Sequence, residues 1–285
     1  MRAEPKLREG PIATDRLTLY ALRSTPKRPE GRVLLLGGSN FDLRLKRQFL
    51  TTNLAARFEI LTYEPRGIGR TEQPEGAWDM ADYAADAAAL MDAVGWDQAD
   101  IVGESFGGMT ALHLGHHFPD RVARVAVISA TAGGRGGGSA EIAHLLDLPR
   151  QEAAEGALKL LDTENIELSR ANPKAFQARV AERMAFDAMF TEPSIESGGY
   201  HRLLNARARH DIWDALPGIR HETLVITGAR DAQAPPEAQK AMAQALPNQR
   251  QWVYDAGHGL AFAMPEPMRD LCAAWSAQVE REVGT

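Results

Sequence analysis

The sequence predicts an α/β fold: a mostly parallel central sheet flanked by helices, with a helical segment inserted late in the sheet. Three observations carry that reading. Short, nearly continuous apolar runs alternate with longer stretches of helical period, as in a parallel sheet covered on both faces. The rhythm breaks after residue 130 and returns near residue 216. Finally, a serine, an aspartate and a histidine follow three of the apolar runs, at the strand ends where a parallel sheet places its chemistry.

The elements follow in chain order. LTLYAL (17–22) reads as a strand paired with the segment before it. RVLLLGG (32–38) is a buried strand ending in glycines, and LKRQFLTTNLAARF (45–58) reads as a helix. EILTYEP (59–65) is a strand closed by Pro65, followed by the tight loop RGIGRT (66–71). MADYAADAAALMDAVG (80–95) has apolar residues at helical spacing, acidic residues on its other face, and Gly95 as a stop. ADIVGES (99–105) is a strand, FGGMTALHLGHHF (106–118) a helix that stops before Pro119, and VARVAVISA (122–130) a strand. TAGGRGGGS (131–139) reads as a flexible, hinge-like run. From Ser139 to Ala215 the spacing is helical, with no convincing strand. The strand–helix rhythm resumes with ETLVITGARD (222–231), PPEAQKAMAQAL (235–246), RQWVYDAGHG (250–259) and a last helix from Pro265. The expected organisation is a core of 1–130 and 216–285, with 131–215 as a helical lid over the strand ends.

Composition narrows the function classes. The chain of 285 residues is 44% hydrophobic and 25% charged, with a net charge of -6 and no long basic run. Nucleic-acid binding therefore has no electrostatic support. No apolar run approaches the roughly 20 residues of a membrane span, and the segment MRAEPKLREGPIATDR lacks the apolar core of a signal peptide. The single cysteine, Cys272, rules out an intrachain disulfide and fits a reduced, cytoplasmic setting. It lies in MRDLCAAWSAQVE, where it reads as a small buried apolar residue. CxxC, HExxH and GxxxxGK[ST] spacings are absent, so neither a zinc site nor a phosphate loop is expected.

The stretch IVGESFGGMT (101–110) places Gly103, Ser105 and Gly107 in G-x-S-x-G. That spacing suits a nucleophile elbow, in which a strand turns sharply into a helix and the serine sits strained at the apex. The glycines must be small because strand and helix approach closely. A serine nucleophile needs a base, and the base needs an acid to orient it. Of eight histidines, His258 stands out, in the glycine-flanked loop YDAGHGLAF after an apolar strand. His113, His116 and His117 fall on the helix after Ser105. His144, His201 and His210 belong to the insertion, and His221 precedes a strand. Asp231 follows the strand TLVITG, in a loop whose prolines start a helix. An oxyanion hole needs two N–H donors. Phe106, following the nucleophile, supplies one, and the loop LLLGGSNFD the other, with Ser39 the first candidate and Asn40 the next.

At this point the chain resembles the α/β-hydrolase superfamily over most of its length, the insertion excluded. YEPRGIGRTEQP resembles the family's D-x-R-G-x-G-x-S loop, with Glu64 and Thr71 where the family often has Asp and Ser. VGESFGGMTALHLGHHFPDRVARVAVI resembles its elbow, helix and next strand. LVITGARDAQAP and AGHGLAFAMPEP resemble its acid and histidine loops. Gly37 and Gly38 stand where many members have His-Gly. GGSNFDLRLKRQF is similar to the corresponding loop of 3-oxoadipate enol-lactonases. The resemblance implies the α/β-hydrolase fold, a catalytic Ser105–Asp231–His258 triad, and no organic cofactor or metal. Ser105 speaks against haloalkane dehalogenases and epoxide hydrolases, which use aspartate there.

The expected activity is hydrolysis of a small-molecule carboxylic ester or lactone. The alternatives are C–C bond hydrolysis, acyl transfer or a lyase reaction on the same residues, or a non-catalytic ligand-binding protein on the same fold. Asn40, Phe186, Phe190 and Trp213 are the candidates for the substrate pocket, with Met189 beside them. Glu104, next to the nucleophile, bonds within the sheet or faces the site.

Overall fold

The computed structural model describes residues 5–190, 194 and 196–283, with the side chains of 190 and 277–283 outside that description. Among these residues the sheet contains eight strands in the order β1-β2-β4-β3-β5-β6-β7-β8. They are β1 (Lys6–Ala13), β2 (Thr18–Thr25), β3 (Arg32–Leu36), β4 (Glu59–Tyr63), β5 (Ala99–Glu104), β6 (Val122–Ile128), β7 (Glu222–Gly228) and β8 (Gln249–Tyr254). β1 and β2 form the antiparallel pair expected from LTLYAL, and β2 also runs antiparallel to β4. All other neighbours are parallel.

Two cores flank the sheet, and the strand period of two divides residues between them. Leu34, Leu36 and Ile101 face one core, whereas Val33, Leu35 and Val102 face the other. The first core is completed by α2 (Met80–Ala93) and α3 (Phe106–His117). The second takes in residues of α1 (Asn53–Arg57) and of the last helix, among them Cys272 at 2% exposure. Asp79 starts α2 with a reciprocal capping box, its carboxylate accepting the Asp82 N–H at 3.0 Å.

The 45–58 segment departs from the single helix expected. It splits into a 3-10 turn, Gln48–Thr51, and the short α1. Thr52 is extended, and its hydroxyl accepts the Ala55 N–H at 3.3 Å, so it starts a new helix instead of continuing one. The glycine run after β6 is also tied down more than its composition suggests. Gly133 is buried and forms an isolated bridge with Asp211. A Cβ on Gly136 would fall 1.7 Å from the Trp213 ring.

Between β6 and β7 the described residues form α4 (Arg150–Leu161), α5 (Glu164–Ala171), α6 (Pro173–Phe190) and α7 (Gly199–Ala208). No strand of the sheet falls in 139–215 among the described residues. The polar ENIELSRA gave no signal for α5. Ala154, Phe176 and Val180 make a small separate core for the first three of these helices. The chain ends through α8 (Pro236–Ala245), α9 (Leu260–Ala263) and α10 (Glu266–Val283). Among the described residues, no helix is long and apolar enough to cross a membrane.

Candidate active site

β5 pairs with β3 on one side and β6 on the other, so Ser105 leaves the middle of the sheet. Its backbone, φ 53 and ψ −115, lies in a region that costs a non-glycine residue about 1–3 kcal/mol. Surrounding bonds hold it there. Its N–H donates to the Ile128 carbonyl at 2.8 Å, and its own carbonyl accepts from Gly108 and Met109 at 2.9 and 3.1 Å. The flanking glycines are sterically required. A Cβ on Gly103 would stand 2.3 Å from the Gly107 carbonyl oxygen, and one on Gly107 would stand 2.0 Å from that of Leu36.

The structure brings Ser105, His258 and Asp231 together from three loops. His258 Nε2 is 2.8 Å from Ser105 Oγ. Its Nδ1 is 2.9 and 3.0 Å from the two oxygens of Asp231. All three residues are buried. Besides the ring, the Asp231 carboxylate accepts the Gln233 and Ala234 N–H groups at 3.0 and 2.7 Å and the Gln239 side-chain amide at 3.4 Å. A carboxylate so placed fixes the proton of His258 on Nδ1 and leaves Nε2 as the acceptor facing the serine.

Sequence reasoning missed Gln233. Its carboxamide nitrogen lies 3.0 Å from His258 Nε2, and the residue borders the same cavity. The inserted helices also reach these loops. The Leu161 carbonyl accepts the His258 N–H at 2.6 Å, and the Thr163 N–H donates to the Arg230 carbonyl at 3.0 Å. Asp162 lies between them and pairs with Arg230 at 3.0 Å.

Gly38, Ser39 and Asn40 border the cavity beside Ser105, and a Cβ on Gly38 would lie 3.8 Å from that of Ser105. Phe106 is the first residue of α3, where backbone N–H groups have no intrahelical acceptor. Its ring is buried edge-on against Tyr83, with centroids 4.7 Å apart. Glu64, in place of the family's Asp, is fully buried. It accepts the Leu43 N–H at 3.1 Å and the Arg70 N–H at 2.5 Å, tying the two loops beside the site together.

The cavity over Ser105 has a volume of about 500 Å³. Asn40 and Phe186 line it. Trp213 does not: its ring is taken up by packing on Gly136 and against the main core. The Phe190 side chain lies outside the described residues, and Met189 is 64% exposed. Glu104 faces the cavity, and burial pushes its carboxyl up, with Lys46 and then His258 acting against that shift.

The other histidines stay away from the cavity lining. His210 Nε2 meets the Thr131 carbonyl at 2.9 Å, and its Nδ1 meets His113 Nε2 at 3.2 Å. A carbonyl only accepts, so His210 Nε2 carries the proton and its Nδ1 accepts from His113. His113 Nδ1 is then the buried lone pair left without a partner. Both rings are neutral. Burial first, then neighbouring histidines, pulls His113 down to about 3, and burial pulls His210 down to about 4.

Comparison with known proteins agrees with this architecture. The chain is 33% identical over 215 residues to 2-hydroxymuconate semialdehyde hydrolase of Pseudomonas putida, covering 70% of each chain. It is 29% identical over 227 residues to a Caulobacter segnis protein with the provisional name carbamate hydrolase RutD, covering 76% of this chain and 80% of the other. An enol-lactonase from Burkholderia xenovorans LB400 superimposes with a TM-score of 0.70 at 22% identity, covering 96% of this chain and 100% of the other. At that identity the likeness speaks for the fold alone. Residues 33–263 match the model of the alpha/beta hydrolase fold family, and the chain belongs to that family.

Proposed function

We propose that this hydrolase cleaves a carboxylic ester or lactone of a small molecule through an acyl-enzyme on Ser105. The observation that carries the reading is the hydrogen-bonded line from Ser105 Oγ to His258 Nε2, and from His258 Nδ1 to Asp231, opening into a cavity. Ser105 Oγ attacks the carbonyl carbon as its proton passes to His258 Nε2. The N–H groups of Ser39 and Phe106 receive the charge that develops on the carbonyl oxygen. Asp231 keeps the ring in the acting tautomer and stabilises its charged form. His258 then gives the proton to the departing oxygen. In a lactone that oxygen stays tethered to the acyl group. Water attacks the acyl carbon, its proton goes to His258, and Ser105 leaves as the alcohol.

A second reading, C–C bond hydrolysis on the same residues, is favoured by the relative named for 2-hydroxymuconate semialdehyde, a compound with no ester to open. The test measures initial rates on p-nitrophenyl esters of increasing acyl length and on an enol-lactone, with product analysis and Ser105→Ala as control. Serine-dependent ester or lactone opening supports the first reading. Release of a C–C cleavage product with inert esters supports the second. Full ester turnover by Ser105→Ala removes Ser105 from the mechanism. Tight ligand binding without a phosphonyl adduct on Ser105 makes the chain a binding protein.

A further inference from the structure

Lys46 is the unexplained charge in the cavity. It follows the loop that carries Ser39 and Asn40, and it borders the same space as Ser105 and His258. The side chain is half-buried, and burial lowers its affinity for a proton, opposed by the nearby Glu104. Among the described residues its ammonium forms neither an ion pair nor a hydrogen bond. Its one close partner is the face of Phe186, 4.9 Å from the ring centroid. Desolvating an ammonium without an anion is costly, so such a charge marks a place where a ligand supplies the missing acceptor.

Among the described residues no neighbour pairs with it directly, although Asp187 on the cavity wall favours its charge and Arg183 opposes it. Arg183 lines the cavity on the opposite, inserted side, but its Nε is already held by Asp187 at 2.7 and 2.8 Å. Glu104 shares the space but forms no ion pair with Lys46 within 4 Å, and its carboxyl is pushed toward the neutral form by burial. The rest of the wall is largely apolar, with Leu145, Leu146, Met184 and Phe186. A cavity of this kind, with Lys46 half-buried in its wall and Arg150 at its exposed rim, fits a ligand with a hydrocarbon body and one anionic end.

We infer that the substrate carries a carboxylate remote from the bond that is cleaved, and that Lys46 binds it. This rests on the hydrolase reading and sharpens it to esters or lactones of acidic compounds. The ammonium, with the Phe186 face on one side, donates to the carboxylate, and the scissile carbonyl lies toward Ser105. Lys46 acts in binding and takes no part in proton transfer to or from Ser105.

The test compares 4-nitrophenyl hydrogen glutarate with 4-nitrophenyl pentanoate, and 4-acetoxybenzoate with phenyl acetate. These pairs place the charge on the acyl and the alcohol side in turn. The wild-type protein is expected to prefer the anionic member of at least one pair. Lys46→Met should lower that preference ratio by roughly 10- to 100-fold, the scale of one hydrogen bond to a charged group. Lys46→Arg, which keeps the charge, should restore it at least in part. A misfolded variant depresses both members and leaves their ratio unchanged, so the ratio reports on the charge. Calorimetric titration with glutarate separates this inference from the ester reading, because binding needs no turnover. Glutarate binding lost in Lys46→Met, with all esters inert, keeps the anion site and discards the ester reading. Ester turnover by Lys46→Met at near wild-type rates on the uncharged esters, with the same ratio as wild type, overturns the anion site and keeps the ester reading.

Discussion

The Gln233 carboxamide and the Ser105 hydroxyl both point at one nitrogen, Nε2 of His258, from 3.0 and 2.8 Å. With its proton held on Nδ1 by Asp231, the ring offers a single lone pair there. The amide and the hydroxyl therefore share one acceptor. Placing a carboxylate at 233 replaces a donor with an anion and holds the ring in its charged form, unable to take the serine's proton. Gln233→Glu is expected to slow phosphonylation of Ser105 by a fluorophosphonate on the order of 10- to 100-fold at neutral pH, as an opposite charge in contact does. Gln233→Leu removes the competing donor and should change that rate only severalfold. Equal rates in Gln233→Glu and wild type would show that the amide does not face the ring in solution.

The elbow glycines give a prediction on stability. A Cβ at Gly107 would meet backbone atoms on the neighbouring strand, 2.0 Å from the Leu36 oxygen and 2.4 Å from its carbon. Backbone inside a packed sheet has little room to yield, so Gly107→Ala should cost about 1–3 kcal/mol or more. Gly138 has nothing within 4 Å of its Cβ position, and Gly138→Ala should stay within about 0.5 kcal/mol of wild type. Urea unfolding of the two variants measures the difference. Matching stabilities would mean that strand and helix are not packed this closely.

What the sequence makes legible follows from which residues obey a period. The strands show as apolar runs because most lie buried on both faces, and Ser105, Asp231 and His258 are readable because each ends such a run. Lys46 hides because it lies in LKRQFLTTNLAARF, where a lysine beside an arginine reads as the solvent face of a helix. The Thr52 cap that breaks that helix is a single hydroxyl bond, invisible to apolar spacing. Gln233 looks like any polar residue in an aspartate loop. Its meaning arises only when β7 and β8 bring His258 beside it. Trp213 misleads for the opposite reason: a large aromatic in a helical insertion suits a pocket wall or a core equally well, and Gly136 decides for the core.

The His113–His210 pair predicts acid sensitivity away from the active site. Both rings are held below the ordinary histidine value of 6.5, at about 3 and about 4. Below pH 6.5 the unfolded chain takes up protons that the folded chain refuses. Stability is therefore fully present above pH 6.5 and is lost as pH falls toward about 4, by about 1 kcal/mol per pH unit per histidine. His113→Gln cannot titrate, so its unfolding free energy should fall less steeply between pH 6.5 and 4. Equal slopes in the two proteins would assign the acid sensitivity to other groups.

The last prediction concerns the corner between α4 and α5, where three consecutive residues touch the loops that carry Asp231 and His258. Leu161 accepts the His258 N–H, Asp162 pairs with Arg230, and Thr163 donates to the Arg230 carbonyl. The two backbone contacts survive a side-chain change, so Asp162→Ala removes only the ion pair and the hydrogen bond from the Glu164 N–H, which the Asp162 carboxylate accepts at 2.8 Å. That pair is part-exposed, at 21% and 30%, and should contribute less than about 1 kcal/mol to stability. Its effect on turnover should be larger than that suggests, because Arg230 immediately precedes Asp231, and a small shift in the acid moves the ring it orients. Asp162→Ala is expected to lower kcat severalfold with KM and unfolding midpoint nearly unchanged, and Asp162→Glu to recover part of the loss. A fall in stability matching the fall in kcat would reduce the corner to ordinary packing. A selective fall in kcat would mean that the helices between β6 and β7 hold the Asp231 and His258 loops in register as well as walling the cavity.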